Sequence, residues 1–305
     1  MATKNNKFIQ LNILLLPLLY TSSYSYLIFI PLGVIIFDFL INNGIKKLEK
    51  FHFWYLFLSL LALNIRFTIE FMVVILLSIT LKKFKISPKV WFYFSGLFSL
   101  FCIFLLIKGT SGFFYTTNSI GISLLGLLFL NPVEKWYENK KHILIILLLF
   151  ISIVLSNNRF SVFIAFLLIL SQVKFSLKRI FIISSILTVS FFYGLFNKLT
   201  EKFNRDDKIN DGNRIVLFQS AISSVKLFEK SETYDFEDEF SHNYYLHNSL
   251  KFGLFPALFY FLFLFRIIKY DNNNYKIFLV FLTGMTEGIF LKGTWLSLFI
   301  NQKNK

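Results

Sequence analysis

Residues 143–173 read ILIILLLFISIVLSNNRFSVFIAFLLILSQV, two apolar runs separated by the polar residues Ser156, Asn157, Asn158 and Arg159. Neither run contains a charged side chain. Runs of this kind recur from one end of the chain to the other, and such recurrence is typical of helices that cross a membrane.

The composition supports the same interpretation. Of the 305 residues, 55% are hydrophobic and 16% are charged, whereas soluble domains carry about 25% charged residues. Several apolar segments are shorter than the ~20 residues of a straight membrane span. The sequence predicts an all-α protein, one integral membrane domain over residues 1–305, with a polytopic bundle of about 11 (10–12) transmembrane helices. The predicted apolar segments are residues 8–20, 24–41, 53–65, 67–81, 90–107, 118–131, 143–155, 160–173, 180–196, 251–268 and 277–291.

Charged residues alternate between the two sides of the predicted membrane. The short loops on one side contain only Arg66, Lys108 and Arg159. Because cytoplasmic loops collect positive charge, the pattern predicts a cytoplasmic N-terminus and an outward-facing Arg159. Topology thereby accounts for the net charge of +15 without a nucleic-acid partner. Eighteen Lys and Arg residues lie in the loops that share a side with the N-terminus, at residues 4–7, 46–50, 82–89, 135–141, 174–179 and 266–276.

One long outer loop, residues 197–250, differs chemically from the rest of the chain. It holds 10 of the 17 acidic residues against seven cations. Loops of this length are usually functional or disordered. Within it, Ile215–Phe228 is apolar enough to predict a helix lying along the membrane surface, with the turn residues Asp211-Gly212-Asn213 before it.

Motifs of soluble enzymes are missing from the sequence. It contains no Gly-rich phosphate loop, no His-Glu-x-x-His and no Gly-x-Ser-x-Gly. The single cysteine, Cys102, lies in an apolar run and excludes a disulfide within the chain. We therefore expect no metal site and no cofactor.

Ionisable residues at the edges of membrane helices are the candidates for chemistry, because such positions are unfavourable for them. Arg159 occupies a very short outer loop, and Arg214 opens the apolar stretch of the long loop. His242 lies in the run Ser241-His242-Asn243-Tyr244-Tyr245-Leu246, just before an apolar helix. A guanidinium can donate two parallel hydrogen bonds to a phosphate, and a neutral imidazole can accept a proton near pH 7.

Structural interpretations of these residues stay open. Arg159 could mark a helix end, although that alternative favours the cytoplasmic side, and Arg214 could be a solvated loop charge. His247 and Glu287 are weaker candidates, and Glu287 is five residues from Lys292, with which it could form an ion pair.

In order and spacing, these motifs resemble the O-antigen polymerase and O-antigen ligase superfamily. The resemblance covers roughly residues 150–268 and rests on Ser156-Asn157-Asn158-Arg159, on Arg214, and on His242-Asn243-Tyr244-Tyr245-Leu246 followed by Gly253-Leu254. The chain departs from the family where Asn158 rather than serine directly precedes Arg159, where Phe218 replaces a common tryptophan, and where an acidic stretch precedes His242.

The resemblance implies a multi-spanning glycosyltransferase of the GT-C type in the bacterial inner membrane, with its active site facing the periplasm. Its donor would be a glycan on undecaprenyl diphosphate. Arg159 and Arg214 would bind the diphosphate. His242 would deprotonate the acceptor hydroxyl, giving inversion without a metal ion, and Asn243, His247 and Glu287 would play supporting roles.

The preferred function is the polymerase, which extends one lipid-linked glycan with another. The alternative is the ligase, which transfers the glycan to lipid A core. A weaker alternative is a polysaccharide transporter or flippase, which would place ionisable residues at mid-membrane depth, and a non-catalytic scaffold is weaker still. Expected partners are the donor, the acceptor glycan or lipid A core, membrane lipids and other polysaccharide-assembly proteins.

Overall fold

The computed structural model describes residues 7–20, 22–41, 50–60, 72, 86–114, 116–133, 136–172, 219–231 and 244–268. These residues are mostly helical, and no β-strand occurs among them, which confirms the prediction of an all-α protein. The α-helices are α1 (Lys7–Tyr20), α2 (Phe29–Ile41), α3 (Lys50–Ser59), α4 (Pro88–Ile107), α5 (Thr117–Phe129), α6 (Lys140–Leu155), α7 (Arg159–Gln172), α8 (Tyr244–Phe252) and α9 (Leu254–Ile268).

The chain divides into two compact units. The first unit comprises residues 1–35, 84–205 and 304–305 and contains α1, the start of α2, and α4 to α7. The second unit comprises residues 36–83 and 206–303 and contains α3, α8 and α9.

Helix α5 forms the centre of the first unit. Every residue from Ile120 to Leu130 is buried. A helix that is buried on all sides needs apolar or small residues all round, and this stretch has leucines and isoleucines with Gly121, Ser123 and Gly126 between them. Helices α1, α4, α6 and α7 pack around it.

Long-range hydrogen bonds fix the surrounding helices at buried polar groups. The Trp91 indole of α4 donates to the carbonyl of Leu127 in α5 at 2.9 Å. The backbone N–H of Ser87 donates to Oε1 of Gln10 in α1 at 2.9 Å. Between α4 and α6, the hydroxyl of Ser152 lies 3.5 Å from the carbonyl oxygen of Ser99. Each contact gives a buried polar group a partner that the apolar interior cannot supply.

Helix α4 is the one helix among the described residues that is long and apolar enough to cross a membrane. Its 20 residues begin with Pro88, a residue suited to the first turn because the missing N–H is not needed there. Only a third of the apolar window is buried, and Leu97 and Ile107 are 71% and 76% exposed. Shorter apolar helices are Lys7–Leu19, Phe29–Asp38, Thr117–Phe129 and Phe160–Leu170.

Other predicted segments cannot be compared with the structure. The segments 180–196 and 277–291 lie outside the described residues, and so does the segment 67–81 apart from residue 72. The bundle of about 11 transmembrane helices therefore stays a prediction.

The second unit is organised around the joint between α8 and α9. The two helices meet at Gly253, whose φ of 91° is a conformation that side chains with a Cβ rarely adopt. Residues 219–231, hereafter the strap, lie against this joint. Helix α3 packs on α9.

The predicted helix Ile215–Phe228 is wrong in its second half. Residues 219–223 are helical, but the helix ends there and residues 225–231 are irregular. The carbonyls of Lys226 and Leu227 bond instead to the first N–H groups of α9. Residues 215–218 lie outside the described part of the chain.

Candidate functional site

The structure describes two of the six predicted site residues. Arg159 is the first residue of α7 in the first unit, and His247 lies within α8 in the second unit. The other predicted residues, Arg214, His242, Asn243 and Glu287, fall outside the described residues.

A tight turn of three residues joins α6 to α7 and carries the chain to Arg159. The Ser156 hydroxyl donates to the carbonyl of Ile153 at 2.6 Å, and the N–H of Asn157 donates to Val154 at 3.0 Å. Asn157 has a φ of 59°, a left-handed conformation that asparagine tolerates better than most residues. Residues within and next to the turn therefore provide its hydrogen bonds and its backbone conformation.

Asn158 caps the N-terminus of α7. Its Oδ1 accepts a hydrogen bond from the N–H of Ser161 at 2.9 Å, and its carbonyl accepts from Val162 at 3.0 Å. This is the arrangement of an asparagine N-cap. Asn158, which stands directly before Arg159 where the family often has serine, thus starts the helix and makes Arg159 its first residue.

The first turn of α5 holds the cap in place. Nδ2 of Asn158 donates to the carbonyl of Asn118 at 3.3 Å, and the Asn158 side chain is buried. One turn further along α5, Gly121 packs directly against Ser156, so a Cβ at this position would collide with Oγ of Ser156. The α6–α7 turn is consequently fixed from within and from α5.

Two helix N-termini meet at this end of the first unit. Thr116 caps α5, accepting from the N–H of Ser119 at 3.2 Å, and the Asn158–Asn118 contact brings this end close to the start of α7. Helix N-termini carry partial positive charge. The Ser161 hydroxyl in the first turn of α7 is buried, with no hydrogen-bond partner among the residues that the structure describes.

Arg159 opposes the dipole of its own helix. A cation in the first turn of a helix is unfavourable by about 0.3–1 kcal/mol, so helix stability does not explain this residue. An anionic group beside the same helix end would be favourable both to the N–H groups and to a guanidinium. That Arg159 binds a phosphate stays a prediction.

Helix α8 begins one residue after Asn243, so the predicted His242-Asn243 pair leads directly into it. Tyr245, in its first turn, packs against Phe261 with ring centroids 4.9 Å apart. Burial raises the pKa of Tyr245 to about 12, so its hydroxyl stays protonated at neutral pH. His247 is half-buried in the same helix, two residues further on.

A second histidine, His142, lies in an aromatic slot that the sequence analysis did not detect. Its ring stacks on Trp91 with an interplanar angle of 5° and meets Phe92 edge-on. Both ring nitrogens are shielded from solvent and have no hydrogen-bond partner among the described residues. Burial lowers the pKa of His142 because the charged form is penalised there.

No group of three or more His, Cys, Asp or Glu residues within the described ranges could hold a metal ion. Comparison of the chain with protein-family models, with curated proteins and with solved structures gives no match. The resemblance to the O-antigen superfamily therefore rests on the ordered motifs of the sequence and stays a prediction, as do its metal-independent chemistry and its lack of a cofactor.

Proposed function

We propose that this protein is a polytopic membrane glycosyltransferase that polymerises lipid-linked repeat units of a surface polysaccharide. The observation that carries the proposal is the setting of Arg159. It opens a helix against that helix's dipole, on a turn held by Asn158 and Gly121. Because a cation at this position opposes the helix dipole, we take the role of Arg159 to be the binding of an anion.

Exposed apolar surface supports a membrane location. Large apolar side chains of α2, α3 and α4 are more than half exposed, among them Phe29, Trp54, Leu97 and Ile107. Soluble proteins rarely leave such surface uncovered. We place the protein in the bacterial inner membrane, with about 11 helices, a cytoplasmic N-terminus and the end of α7 that carries Arg159 facing the periplasm.

The proposed reaction transfers a glycan from undecaprenyl diphosphate to a sugar hydroxyl. Arg159 and Arg214 bind the diphosphate and stabilise the negative charge that grows as it departs. His242 takes the proton of the acceptor hydroxyl. The hydroxyl oxygen then bonds to the anomeric carbon on the face opposite the diphosphate, the bond from that carbon to the diphosphate oxygen breaks, and the configuration inverts.

The position of charged residues favours an enzyme over a transporter. In α4 to α7 the charged residues, Lys89, Lys140, Lys141 and Arg159, lie within the first two residues of a helix. A transporter would place some of them at mid-membrane depth. The polymerase and the ligase share the same donor chemistry, so an experiment has to separate them.

The test is the surface glycan of a source strain lacking this gene, resolved by gel electrophoresis. Lipid carrying a single repeat unit is the expected result for a polymerase. Bare lipid core, with glycan retained on undecaprenyl diphosphate, would instead identify the ligase. An unchanged pattern would overturn the proposal.

Complementation assigns the role of Arg159. The wild-type gene and the variant Lys108→Ala should restore the ladder, because Lys108 is an exposed cation that contacts the Phe104 ring at the end of α4. The variant Arg159→Ala should not restore it. Equal restoration by both variants would remove Arg159 from the mechanism.

A further inference from the structure

The strap, residues 219–231, closes the N-terminus of α9 through its backbone. The N–H groups of Leu254 and Phe255 donate to the carbonyls of Lys226 and Leu227 at 2.9 and 3.0 Å. At the other side of the joint, the N–H of Ser231 donates to the carbonyl of Leu250 at 2.8 Å. The first donors of a helix need such partners, and here a part of the long loop provides them.

Close packing fixes the strap on the joint. A Cβ at Gly253 would lie 2.6 Å from the backbone carbon of Phe228, so only glycine permits this approach. The ring of Phe228 stacks on that of Phe255 with centroids 4.9 Å apart. Hydrogen bonds and close packing therefore make the strap an integral part of the second unit.

The outer side of the strap is apolar. Leu227 and Phe228 are 57% and 45% exposed. On α9 the exposed residues Leu254, Leu258 and Leu262 recur every fourth position, which places them on one helix face. Leu227 and Phe228 lie beside the first turn of α9, where this leucine face begins, through the bond of Leu227 to the N–H of Phe255 and the stacking of Phe228 on Phe255.

Lysines flank the apolar side chains of the strap. Lys226 and Lys230 stand on either side of Leu227 and Phe228, and Lys226 lies 3.8 Å from the exposed carboxylate of Glu229. The strap carries two cations and one acid, in a loop where acids outnumber cations ten to seven. Apolar side chains beside lysines are typical of segments at the surface of an anionic bilayer.

We infer that the strap docks on the outer surface of the bilayer, with Leu227 and Phe228 among the acyl chains and Lys226 and Lys230 at the phosphates of anionic phospholipids. The leucine face of α9 and the lysines of the strap favour lipid as the occupant, since that face is lipid-facing if α9 spans the membrane and the strap lies against its first residue, Leu254. The inference rests on the proposed function only in taking α9 as a membrane span. It makes the strap an anchor that sets the height of α8 above the membrane.

Spin labels in the full-length protein test the inference. In a Cys102→Ala background, Leu227→Cys, Phe228→Cys, Glu229→Cys and Leu258→Cys are labelled with a nitroxide. The proteins are reconstituted in vesicles of phosphatidylcholine with and without phosphatidylglycerol. Accessibility to oxygen, which partitions into lipid, is compared with accessibility to a water-soluble nickel complex.

We expect labels at 227 and 228 to be accessible to oxygen and protected from nickel, with greater protection in the anionic vesicles. The label at 229 should be accessible to nickel. Replacing both strap lysines, Lys226→Gln with Lys230→Gln, should abolish the difference between the two kinds of vesicle.

Other outcomes separate the inference from the proposed function. Nickel accessibility at 227 and 228, with oxygen accessibility at 258, would overturn strap docking and leave α9 as a span. Nickel accessibility at 258 as well would overturn the membrane proposal itself. Protection of 227 and 228 from both reagents would show a protein cover, which also overturns docking on lipid.

Discussion

Helices α7 and α9 differ in how the first N–H groups of each find hydrogen-bond acceptors. Both helices begin directly after another helix, and both must satisfy their first N–H groups. Helix α7 uses its own preceding residue, Asn158, which bonds to Ser161. Helix α9 uses the carbonyls of Lys226 and Leu227, nearly thirty residues earlier in the chain. The first solution is local to the α6–α7 turn, whereas the second uses a distant segment of the chain.

This difference bears on the proposed binding of an anion at the start of α7. Backbone carbonyls already accept from the first two N–H groups of α9, so a phosphate would have to displace the strap. At α7 the cap engages only the N–H of Ser161 among the first three residues. We therefore expect substitutions at the α7 start to affect activity, and substitutions at the α9 start to affect stability.

The largest effect is expected at Arg159. In proteoliposomes supplied with a lipid-diphosphate glycan, Arg159→Ala should reduce the rate of polymer formation by on the order of 10²–10³-fold, as loss of a transition-state donor does. Its thermal stability in detergent should rise slightly, by about 0.3–1 kcal/mol, because an unfavourable cation leaves the helix start. Lys108→Ala is the control, and a matching loss of rate in that variant would contradict the assignment.

A second substitution tests the covered helix end. Gly253→Ala should destabilise the second unit by about 1–3 kcal/mol, since it combines a strained backbone with a collision at Phe228. Hydrogen exchange at Leu254 and Phe255 should accelerate. Gly33→Ala is the matched control, because no atom lies within 4 Å of a Cβ there. Equal stability of the two variants would contradict the close approach of the strap.

A third pair of variants compares two asparagine caps. Asn158 caps α7, and Asn139 caps α6 by accepting from the N–H of Lys141 at 3.0 Å. Either change to alanine should destabilise the protein by about 0.5–2 kcal/mol. Only Asn158→Ala should also raise the KM for the lipid-diphosphate donor, and Asn158→Ser, which keeps a capping oxygen, should restore it. An equal rise in KM for Asn139→Ala would mean that Asn158→Ala acts only through loss of stability.

The smallest effect concerns His142 and pH. Its pKa in the folded protein lies below the ordinary value of 6.5. The unfolded chain therefore takes up a proton before the folded protein does, and stability present above pH 6.5 falls as the pH is lowered. His142→Phe, which keeps a ring against Trp91, should flatten the dependence of melting temperature on pH between 7 and 5. If the pH dependence of the melting temperature were unchanged in His142→Phe, it would have to come from other titratable groups.

Local patterns predicted the helices but not their long-range partners. The apolar runs located α4, α6 and α7, because an uninterrupted apolar stretch of this length favours a helix. Asn158 stands one residue before the apolar run that begins at Phe160, a position typical of an N-cap, yet sequence analysis treated it only as a departure from a motif. The helix predicted over Ile215–Phe228 ends at residue 223, and nothing local records that α9 needs the carbonyls of Lys226 and Leu227. His142 shows no signal in the sequence, since Trp91 and Phe92 are some fifty residues away.

The packing of α4 on α6 also determines how far each helix extends beyond their contact. From the level at which Ser152 approaches Ser99, α4 continues for eight residues to Ile107 and α6 for three to Leu155. At 1.5 Å per residue, α6 stops roughly 7 Å before α4 does. Phe113 stacks on Phe101, and Phe114 meets Phe98 edge-on, before α5 begins. The turn after α6, and with it the start of α7 at Arg159, consequently lies below the last turns of α4 rather than level with them.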